Sequence, residues 1–575
     1  IGAVQGSDTG TATIVDDGSG PGPDPDDDRP VVAAISDTTV NEGESATLVV
    51  TLSNLSTTDT LVNLALNDGT AEGGVDYTKS SVTVTYADSS SDVIPVNPDG
   101  TFNVSVPAGD MTFDVVISTT DDELFESDEN FTLIGQTEIQ TTPVTGTVTI
   151  LDNDTVSVAS ISSEVVNEGE PIIFDVTLSN PSDSESLVNM VLADGSAEGG
   201  IDYINTSVTV TYADNSTDVI TVNANGTFDV SVPANDVSFS VTVNTIDDDL
   251  FEGAETLTLS GKTATQITSA MGTGTLLDDG SGPGPDPDDD RPTVAAITST
   301  TVNEGDIATL DVTLSNESTT NTIVNMMLTD GSAEGGVDYT DTSVTITYES
   351  GGIEVVTVNP DGSFIVDVPA NDTTYSVSVS TTDDDLFEGP ETFTLSGNTD
   401  NQVGSVIGTG TIVDDGSGPG PDPDDDRPTV AAITDAIVSE GELATLEVTL
   451  SNASTTNTVV NMTLANGTAE GGSDYTNTTV TVTYADSSTD VISVNPDGTF
   501  DVIVPALDTT FSVTMVTLND DIYEGDENFT LSGATAVQTT AAVGTVTIND
   551  DADIPTVTEI TDIQVVEGND AKFNV

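Results

Sequence analysis

The 575-residue chain contains no cysteine, no histidine and no tryptophan. Without cysteine there are no disulfides and no thiol chemistry. The nitrogen and sulfur ligands that zinc prefers are therefore missing. Aromatic residues make up only 4% of the chain, which leaves little surface for stacking against sugars and disfavours a hydrolase built on paired carboxylates. We therefore expect that this protein is not an enzyme.

Positive charge is also scarce, because the chain has 6 lysines and arginines against 100 aspartates and glutamates, a net charge of −94. This excludes nucleic acid as a partner, since its phosphates need cations to displace their counterions. Such a chain repels itself unless salt or bound divalent ions neutralise it. Disorder is the simplest interpretation of this charge, but an apolar content of 35% and alternating runs such as residues 81–86 predict a folded protein.

Two further absences narrow the class of protein. Lysine occurs only at positions 79, 262 and 572, and equivalent positions in other repeats include Asn205 and Ala534. Repeated Lys–Asn isopeptide crosslinks, which some surface proteins use, are thus excluded. No apolar run approaches the roughly 20 residues that span a bilayer, so we expect no direct membrane insertion in this segment.

What the chain does contain is a repeat, marked by a Glu-Gly pair at Glu42, Glu168, Glu304, Glu440 and Glu567. The successive separations are 126, 136, 136 and 127 residues, and such a period indicates an array of similar domains. Residues 10–17 match residues 408–415, so we expect a segment of a longer array. The predicted boundaries are the tail of a preceding repeat at 1–17, full repeats at 31–154, 155–279, 293–415 and 429–551, and the start of a further repeat at 552–575.

Long linkers at 18–30, 280–292 and 416–428 share the sequence Gly-Ser-Gly-Pro-Gly-Pro-Asp-Pro-Asp-Asp-Asp-Arg-Pro, whereas the other junctions are short. The glycines predict a flexible start, and the alternating prolines favour extended polyproline II. Two interpretations of the Asp triplet stay open: it solvates the linker, or it forms a supplementary cation site.

Within a repeat nearly all signals favour strands, with alternating apolar residues, abundant Thr and Val, and turn clusters such as residues 97–100. In the first repeat the predicted strands are 32–39, 46–53, 59–66, 81–87, 91–96, 101–106, 112–118, 129–136 and 145–151. Many short strands in about 125 residues indicate an all-β antiparallel sandwich. The aromatic residues Phe125, Phe251, Phe387 and Tyr523 are interpreted as core or turn-packing residues.

Acidic residues recur in register in four predicted loops of each repeat. The Glu-Gly corner contributes Glu42, Glu168, Glu304 and Glu440, and a Gly-x-Asp-Tyr turn contributes Asp76, Asp202, Asp338 and Asp474. An acidic turn and the Glu that follows it contribute Asp121, Asp122, Glu126 and Glu129, then Asp247, Asp248, Glu252 and Glu255, then Asp383, Asp384, Glu388 and Glu391, then Asp520, Glu524 and Glu527. The last strand of each repeat ends in Asp152 and Asp154, Asp278 and Asp279, Asp414 and Asp415, or Asp550 and Asp551.

If each sandwich gathers these loops at one end, several like charges share a small volume, which is costly unless they are protonated or bound to metal. Calcium accepts six to eight oxygen ligands with tolerant geometry, whereas magnesium prefers fewer protein ligands and keeps its waters. A solvated acidic loop is the competing interpretation of each loop taken alone. The joint recurrence of all four favours Ca²⁺.

The run from Gly69 to Tyr77, the pattern Asp-Asp-x-Leu-Phe-Glu-x-x-Glu and the ending Gly-Thr-Val-Thr-Ile-x-Asp-x-Asp together resemble the Calx-beta domain. The resemblance covers all four full repeats. It implies an immunoglobulin-like sandwich, known from sodium–calcium exchangers, integrin β4 and long bacterial surface proteins. In calcium-binding members the four acidic elements bind clustered ions, so the resemblance implies that the residues above are metal ligands, with a backbone carbonyl near Leu124.

This chain departs from the family pattern in places. Asn519 replaces the first Asp of the acidic turn in the fourth repeat. Gly280, Gly416 and Ala552 replace the last acid of the closing run, so the number of ions is expected to differ between repeats. Extra sequence between strands, such as residues 86–109, predicts a longer sandwich than usual.

The expected function is that of a calcium-rigidified extender in a very large secreted or cell-surface protein, resembling bacterial adhesins of the repeats-in-toxin type that support adhesion and biofilm. Its partners would be neighbouring repeats of the same chain. A self-assembling extracellular fibre or matrix protein, with contacts between copies, is the alternative. A calcium sensor that regulates a transporter is disfavoured, because arrays with Pro-Asp linkers suit spacing better than signalling.

Overall fold

The computed structural model describes residues 10–15, 17–23, 27–285, 287–421, 423–520, 522–550 and 556–575. The chain divides into two compact units. The first contains the described residues up to Asp248 together with Gly253–Asp289, and the second contains Asp249–Glu252 and the described residues from Asp290 onward. The four predicted repeats each form a sandwich.

The strands of the sandwiches follow one order. The first repeat contains β1 (Val32–Ile35), β2 (Thr38–Asn41), β3 (Ser45–Leu52), β4 (Thr60–Asp68), β5 (Ser81–Tyr86), β6 (Ser91–Pro95), β7 (Thr101–Val106), β8 (Thr112–Ser118), β9 (Glu129–Thr137) and β10 (Val144–Leu151). The second contains β11 (Val158–Ile161), β12 (Glu164–Asn167), β13 (Ile172–Leu178), β14 (Ser186–Asp194), β15 (Ser207–Tyr212), β16 (Thr217–Thr221), β17 (Thr227–Val232), β18 (Ser238–Val243), β19 (Glu255–Thr263) and β20 (Ala270–Leu277).

The last two repeats each add one two-residue strand. The third contains β21 (Val294–Ile297), β22 (Thr300–Asn303), β23 (Ile307–Leu314), β24 (Thr322–Asp330), β25 (Ser343–Tyr348), β26 (Ile353–Thr357), β27 (Ser363–Val368), β28 (Thr374–Ser380), β29 (Leu386–Phe387), β30 (Glu391–Asn398) and β31 (Val406–Val413). The fourth contains β32 (Val430–Ile433), β33 (Ala436–Ser439), β34 (Leu443–Leu450), β35 (Ala453–Ser454), β36 (Thr458–Asn466), β37 (Thr479–Tyr484), β38 (Thr489–Ser493), β39 (Thr499–Val504), β40 (Thr510–Val516), β41 (Glu527–Ala534) and β42 (Ala542–Asn549).

Two five-stranded sheets make each sandwich, in the orders β1-β3-β8-β5-β6 and β2-β10-β9-β4-β7 in the first repeat. Side chains alternate along the strands, so that β3 buries Ala46, Leu48, Val50 and Leu52 and turns the residues between them outward. The all-β sandwich fold is thereby confirmed. Across the described residues, no helix has the length and apolar character needed to cross a bilayer.

The predicted strand 32–39 is in fact two strands that belong to different sheets. Strand β1 pairs antiparallel with β3, whereas β2 pairs parallel with the last strand, β10. The chain changes sheets at Ser36 and Asp37, where Asp37 Oδ1 accepts a hydrogen bond from Thr147 N at 2.8 Å. The parallel pair brings the ends of β2 and β10 together, and both ends carry predicted site residues.

The tyrosine of the Gly-x-Asp-Tyr turn anchors that turn in the core. Tyr77 is fully buried and stacks on Phe131 with ring centroids 3.9 Å apart. Its hydroxyl donates a 2.6 Å hydrogen bond to Asp68 Oδ1. The third and fourth repeats have the same stacked pair, between Tyr339 and Phe393 and between Tyr475 and Phe529. Packing of the tyrosine therefore fixes the position of the aspartate before it.

The prediction of an extended polyproline linker is wrong. Asp415 and Asp425 form an antiparallel β-bridge, and Gly416 N donates to Asp424 O at 2.7 Å. Ten extended residues would span about 31 Å, so the linker must fold back on itself. The same bridge joins Asp17 to Asp27 and Asp279 to Asp289.

We expect that Phe131→Ala will destabilise the first repeat by about 3–5 kcal/mol, because a large core side chain is lost and a cavity remains. Calorimetric unfolding of the whole chain would show one early transition. Val93→Ala is the control, since Val93 is 72% exposed, and it should leave the profile unchanged. Equal profiles for the two variants would contradict the assigned core.

Candidate metal centre

The Glu-Gly pair forms a tight corner between three chain segments. Glu42 N donates to Leu151 O at 3.0 Å, and Gly43 N donates to Thr120 O at 3.1 Å. Gly43 has φ +75°, and a Cβ on it would lie 2.8 Å from Asp121 Cβ. Glycine is thus required here for both conformation and space. The corner holds Glu42 between the end of β10 and the acidic turn.

Carboxylates from all four predicted loops of the first repeat converge on one crevice of about 10 Å³, close to the volume that one water molecule needs. Its acidic lining consists of Glu42, Asp76, Asp122, Glu126, Glu129 and Asp152. Two groups of three, Glu42–Asp152–Asp154 and Asp76–Glu126–Glu129, each offer oxygens that lie within 4.8 Å of one another.

Backbone N–H groups orient several of these carboxylates. Asp152 accepts hydrogen bonds from Glu126 N at 2.5 Å and from Asp154 N at 2.7 Å. Asp122 Oδ1 accepts one from Leu124 N at 2.8 Å. Asp121 lies at the margin, where its Oδ1 accepts a 3.2 Å hydrogen bond from Asn153 Nδ2. Hydrogen bonds within and between the lining loops therefore set the positions of the carboxylates in the crevice.

The electrostatics of this crevice favour a bound cation. Glu42 Oε1 and Asp154 Oδ2 are buried and receive no hydrogen bond, which is costly for a carboxylate. The pKa of Glu42 is raised to about 7, first by burial and then by the charge of Asp152. Burial and Asp76 likewise raise the pKa of Glu129 to about 7. An all-oxygen donor set with unsatisfied buried oxygens fits a hard divalent cation.

The second repeat preserves the same local features. Asp202 is 5% exposed and accepts a hydrogen bond from Glu198 N at 2.5 Å. Asp278 is 2% exposed and accepts one from Gly253 N at 3.3 Å. The remaining predicted residues occupy the equivalent positions: Glu168 at the corner, Asp247 beside Gly169, Asp248 in the acidic turn, Glu252 in the segment Asp249–Glu252 of the second unit, Glu255 at the start of β19, and Asp279 in the linker bridge.

In the third repeat the corner Glu304 groups with two linker residues, Asp424 and Asp426. Buried Asp414 instead accepts hydrogen bonds from Glu388 N at 2.7 Å and Gly389 N at 3.2 Å. The other predicted residues again lie in the corresponding loops: Asp338, which accepts from Glu334 N at 2.6 Å, Asp383 beside Gly305, Asp384, whose N–H donates to Glu304 Oε1 at 3.0 Å, and Glu391 at the start of β30.

Asp415 forms the linker bridge, and its Oδ1 accepts a hydrogen bond from Ser417 N at 3.0 Å. Its assignment as a metal ligand stays a prediction. Burial and the charge of Asp384 raise the pKa of Glu304 to about 8. The pKa of Asp426 is raised to about 7 by burial and by Asp424.

In the fourth repeat Asp550 Oδ2 accepts hydrogen bonds from Glu524 N at 2.8 Å and Gly525 N at 3.2 Å. The pKa of Glu527 is raised to about 7 by burial and Asp474. Glu440 is again at the corner, and Asp520 Oδ1 caps its own turn through Ile522 N at 2.8 Å. Asp551 lies outside the described residues.

Sequence reasoning did not assign Asp424 and Asp426 to the site, although one signal was available. Asp154 lies 26 residues before Asn180, whose Nδ2 donates to Asp154 Oδ1 at 3.1 Å. Asp426 lies 26 residues before Asn452, whose Nδ2 donates to Asp426 Oδ1 at 3.1 Å. Counting back from the repeated Ser-Asn pair would have identified the linker acid that replaces Asp154.

Of the aromatic residues interpreted as core or turn-packing residues, Phe125 is 38% and Tyr523 is 50% exposed, so these two do not lie in a core. Phe125 N donates to Pro181 O of the following repeat at 3.0 Å. Phe387 pairs with Ser454 in the same way, through strands β29 and β35. The acidic turn is therefore also a contact with the next repeat within each unit.

Comparison with protein-family models gives a match to the Calx-beta domain over more than half of the chain, at residues 26–154, 152–279, 288–359, 366–415, 424–497 and 502–552. The first two stretches each cover one sandwich. The other four fall in pairs on the third and fourth sandwiches, with breaks at the β26–β27 and β38–β39 connections, where the chain passes from one sheet to the other.

Among solved structures, the chain is similar to CBD12 from CALX1.2, with 16% identity over 41% of this chain and 82% of that one and a TM-score of 0.17. It is similar to the apo form of the Calx CBD1 domain, with 21% identity over 22% of this chain and 98% of that one and a TM-score of 0.16. Drosophila N-cadherin EC1-4 matches at 11% identity over 84% and 95%, with a TM-score of 0.20. No curated protein matches the chain.

The raised pKa values predict how pH affects the metal-free protein. A folded-state pKa above the usual value of a Glu stabilises the fold below about pH 4.5, and this stability is lost as the pH rises through about 7 to 8. In chelator, the melting temperature should thus be higher at pH 5 than at pH 8. Glu42→Gln with Glu304→Gln should reduce that difference, while Asp88→Asn, in an exposed turn, should preserve it. A melting temperature that rises from pH 5 to pH 8 would contradict the crevice electrostatics.

Proposed function

Because this chain belongs to the Calx-beta family and carries its domains in tandem, we propose that it is a calcium-stiffened extender segment of a very large extracellular or cell-surface protein. Its task is to project a distal binding region, in support of cell adhesion or biofilm formation. The proposal depends on one observation: carboxylates converge at the acidic turn, and some of their buried oxygens receive no hydrogen bond. The same turn also contacts the next repeat.

Calcium is the cation that best suits this donor set. The crevice offers six carboxylates and no nitrogen or sulfur ligand, and Ca²⁺ accepts six to eight oxygens in irregular geometry. In the first repeat Glu42, Asp152 and Asp154 would hold one ion, and Asp76, Glu126 and Glu129 another. A bound cation removes the repulsion that otherwise raises the pKa of Glu42 and Glu129.

The location of the crevice links the ion to the junction between repeats. Asp154, in one cluster, receives a hydrogen bond from Asn180 of the following repeat. Glu126, in the other cluster, directly follows Phe125, whose carbonyl accepts from Asp183 N at 3.1 Å. Ordering both clusters would therefore order both contacts with the neighbour. The partners in this function are the neighbouring repeats of the same chain.

An extracellular location supplies the ion at the concentration such a site requires. Extracellular calcium modules bind with dissociation constants of roughly 10⁻⁴–10⁻³ M. A chain with a net charge of −94 also repels itself, so that part of this charge has to be neutralised if its repeats are to stay close together. Both arguments support secretion or display at the cell surface.

A second candidate function, a self-assembling fibre or matrix protein, is favoured by one feature of the sheets. Strand β6 lies at the edge of its sheet, and its Val93 is 72% exposed. The equivalent Val219, Val355 and Val491 are 75%, 71% and 73% exposed. Exposed edge strands can pair between chains, so filament formation seen by electron microscopy at millimolar calcium would favour this alternative.

Titration of the chelated chain with calcium should show binding at each repeat and a higher melting temperature. At a calcium concentration 100-fold above the dissociation constant, each site adds about 2.7 kcal/mol of stability. Glu42→Gln with Asp154→Asn should abolish part of the calorimetric signal and lower only the first repeat's calcium-dependent stabilisation. Small-angle scattering should show a narrower range of conformations with calcium.

Asp88→Asn with Asp99→Asn removes the same charge from exposed turns outside the crevice and should bind calcium as the native chain does. Magnesium at equal concentration controls for simple screening, and it should give a much smaller effect. Binding isotherms and melting curves that calcium leaves unchanged would reject calcium stiffening and leave a charged spacer.

A further inference from the structure

The described residues of the linker between the third and fourth repeats form a folded element, which we call the linker hairpin and define as residues 414–421 and 423–426. Its ends are joined by the Asp415–Asp425 bridge, by Gly416 N to Asp424 O at 2.7 Å and by Asp426 N to Asp414 O at 2.8 Å. The first repeat has no such element between Asp152 and Asp154. The hairpin is thus an insertion within the acidic run that closes the site.

This insertion adds carboxylates to the site. Glu304, Asp424 and Asp426 each offer an oxygen within 4.8 Å of the other two. Asp424 Oδ2 and Asp426 Oδ2 are buried and receive no hydrogen bond. Asp414, which is 2% exposed, is held by backbone N–H groups of the acidic turn. Closing the hairpin therefore brings Asp426, which takes the place of Asp154, and one additional acid, Asp424, to a place that is already acidic.

One buried side-chain amide joins the hairpin to the third repeat by a hydrogen bond. Asn303, which is 7% exposed, donates from Nδ2 to Pro419 O at 2.9 Å. A Cβ on Gly418 would overlap Asn303 Oδ1, so only glycine fits against this side chain. The equivalent Asn167 donates to Pro283 O at 2.8 Å. The fourth repeat has Ser439 at this position and is followed by a short junction. The first repeat has Asn41 at this position although a short junction follows it, so the amide itself is not confined to repeats that precede a hairpin.

The attractive contacts of the closed hairpin are few. Among the described residues they include backbone pairs, the Asn303 hydrogen bond, the hydrogen bond from Ser417 N to Asp415 Oδ1, and those from Asn452 Nδ2 to Asp426 O at 2.8 Å and Oδ1 at 3.1 Å. Arg427 and Asp425 also form an ion pair at 2.6 Å, in which both side chains are more than a third exposed. Such exposed pairs contribute little. Carboxylates that face one another at close range repel strongly in a partly buried site. Repulsion among these carboxylates therefore opposes closure of the hairpin, and a bound cation would remove this repulsion.

We propose that the linker hairpin is a clasp that calcium closes: an ion held by Glu304, Asp424 and Asp426 keeps it folded, and removal of the ion releases it. This inference rests on the proposed function and adds that the long junctions change length with calcium, whereas the short junctions do not. Release of the ten inserted residues as an extended chain provides up to about 31 Å per junction.

Because the chain has no cysteine, the clasp can be tested in the full chain by energy transfer between two introduced thiols. Val403→Cys and Ile437→Cys place dyes at exposed positions on either side of the hairpin. Transfer efficiency should be high with millimolar calcium and fall in chelator. Asp424→Asn with Asp426→Asn should abolish the calcium response, and its melting temperature in chelator should not be below that of the native chain.

Two controls match this design. Thr141→Cys and Val165→Cys are the equivalent label positions across the short junction, and they should show no comparable change in mean distance. Asp26→Asn with Asp28→Asn makes the same substitutions in the first linker, which is remote in sequence from both labels, and should leave the Val403–Ile437 response intact.

The possible outcomes separate the clasp from the proposed function. A chain that binds calcium calorimetrically but shows no distance change at either junction overturns the clasp and leaves the extender proposal standing. An equal change at the long and short junctions also overturns it. A chain that binds no calcium overturns both. A change that is confined to the long junction and lost in Asp424→Asn with Asp426→Asn supports it.

Discussion

The repulsion among carboxylates at the end of each sandwich is the constraint on which the other features depend. Six acidic side chains share a crevice of about 10 Å³ in the first repeat, and burial there raises the pKa of Glu42 to about 7. A fold does not gather charge in this way for its own stability, since buried unpaired carboxylates are costly. The apolar core of the sandwich must therefore offset the cost of gathering these carboxylates.

Contacts in the core next to the acidic loops hold these loops in place. Tyr77 is fully buried against Phe131 and fixes the turn that carries Asp76. The parallel pairing of β2 with β10 fixes Glu42 next to Asp152. Gly43 allows Asp121 to pack on the corner. Apolar packing and backbone pairing thus position the acidic residues, and the acidic residues need not attract one another.

The sequence predicted those parts of the molecule that depend on local pattern. Period-two alternation located the strands, and the recurrence of acids in loops located the crevice. The division of 32–39 into β1 and β2 was missed because both halves are extended and only their partners differ. The linker was misread because polyproline propensity is a local property, whereas the bridge of Asp415 to Asp425 and the Asn303 contact with Pro419 are not. The pattern left open whether Phe125 is a core or a turn-packing residue, because it does not show the following repeat, which Phe125 contacts.

The short and the long junctions share one contact, which becomes visible when residues are counted backward from the following repeat. Asn180 donates to Asp154 and Asn452 donates to Asp426, each across 26 residues, although only the second junction carries an insertion. The ten inserted residues lie before Asp426, so they leave its relation to Asn452 unchanged. An insertion placed after this acid would have displaced the next repeat from the site. The position of the linker hairpin thus preserves the link between the acidic end of one repeat and the start of the next.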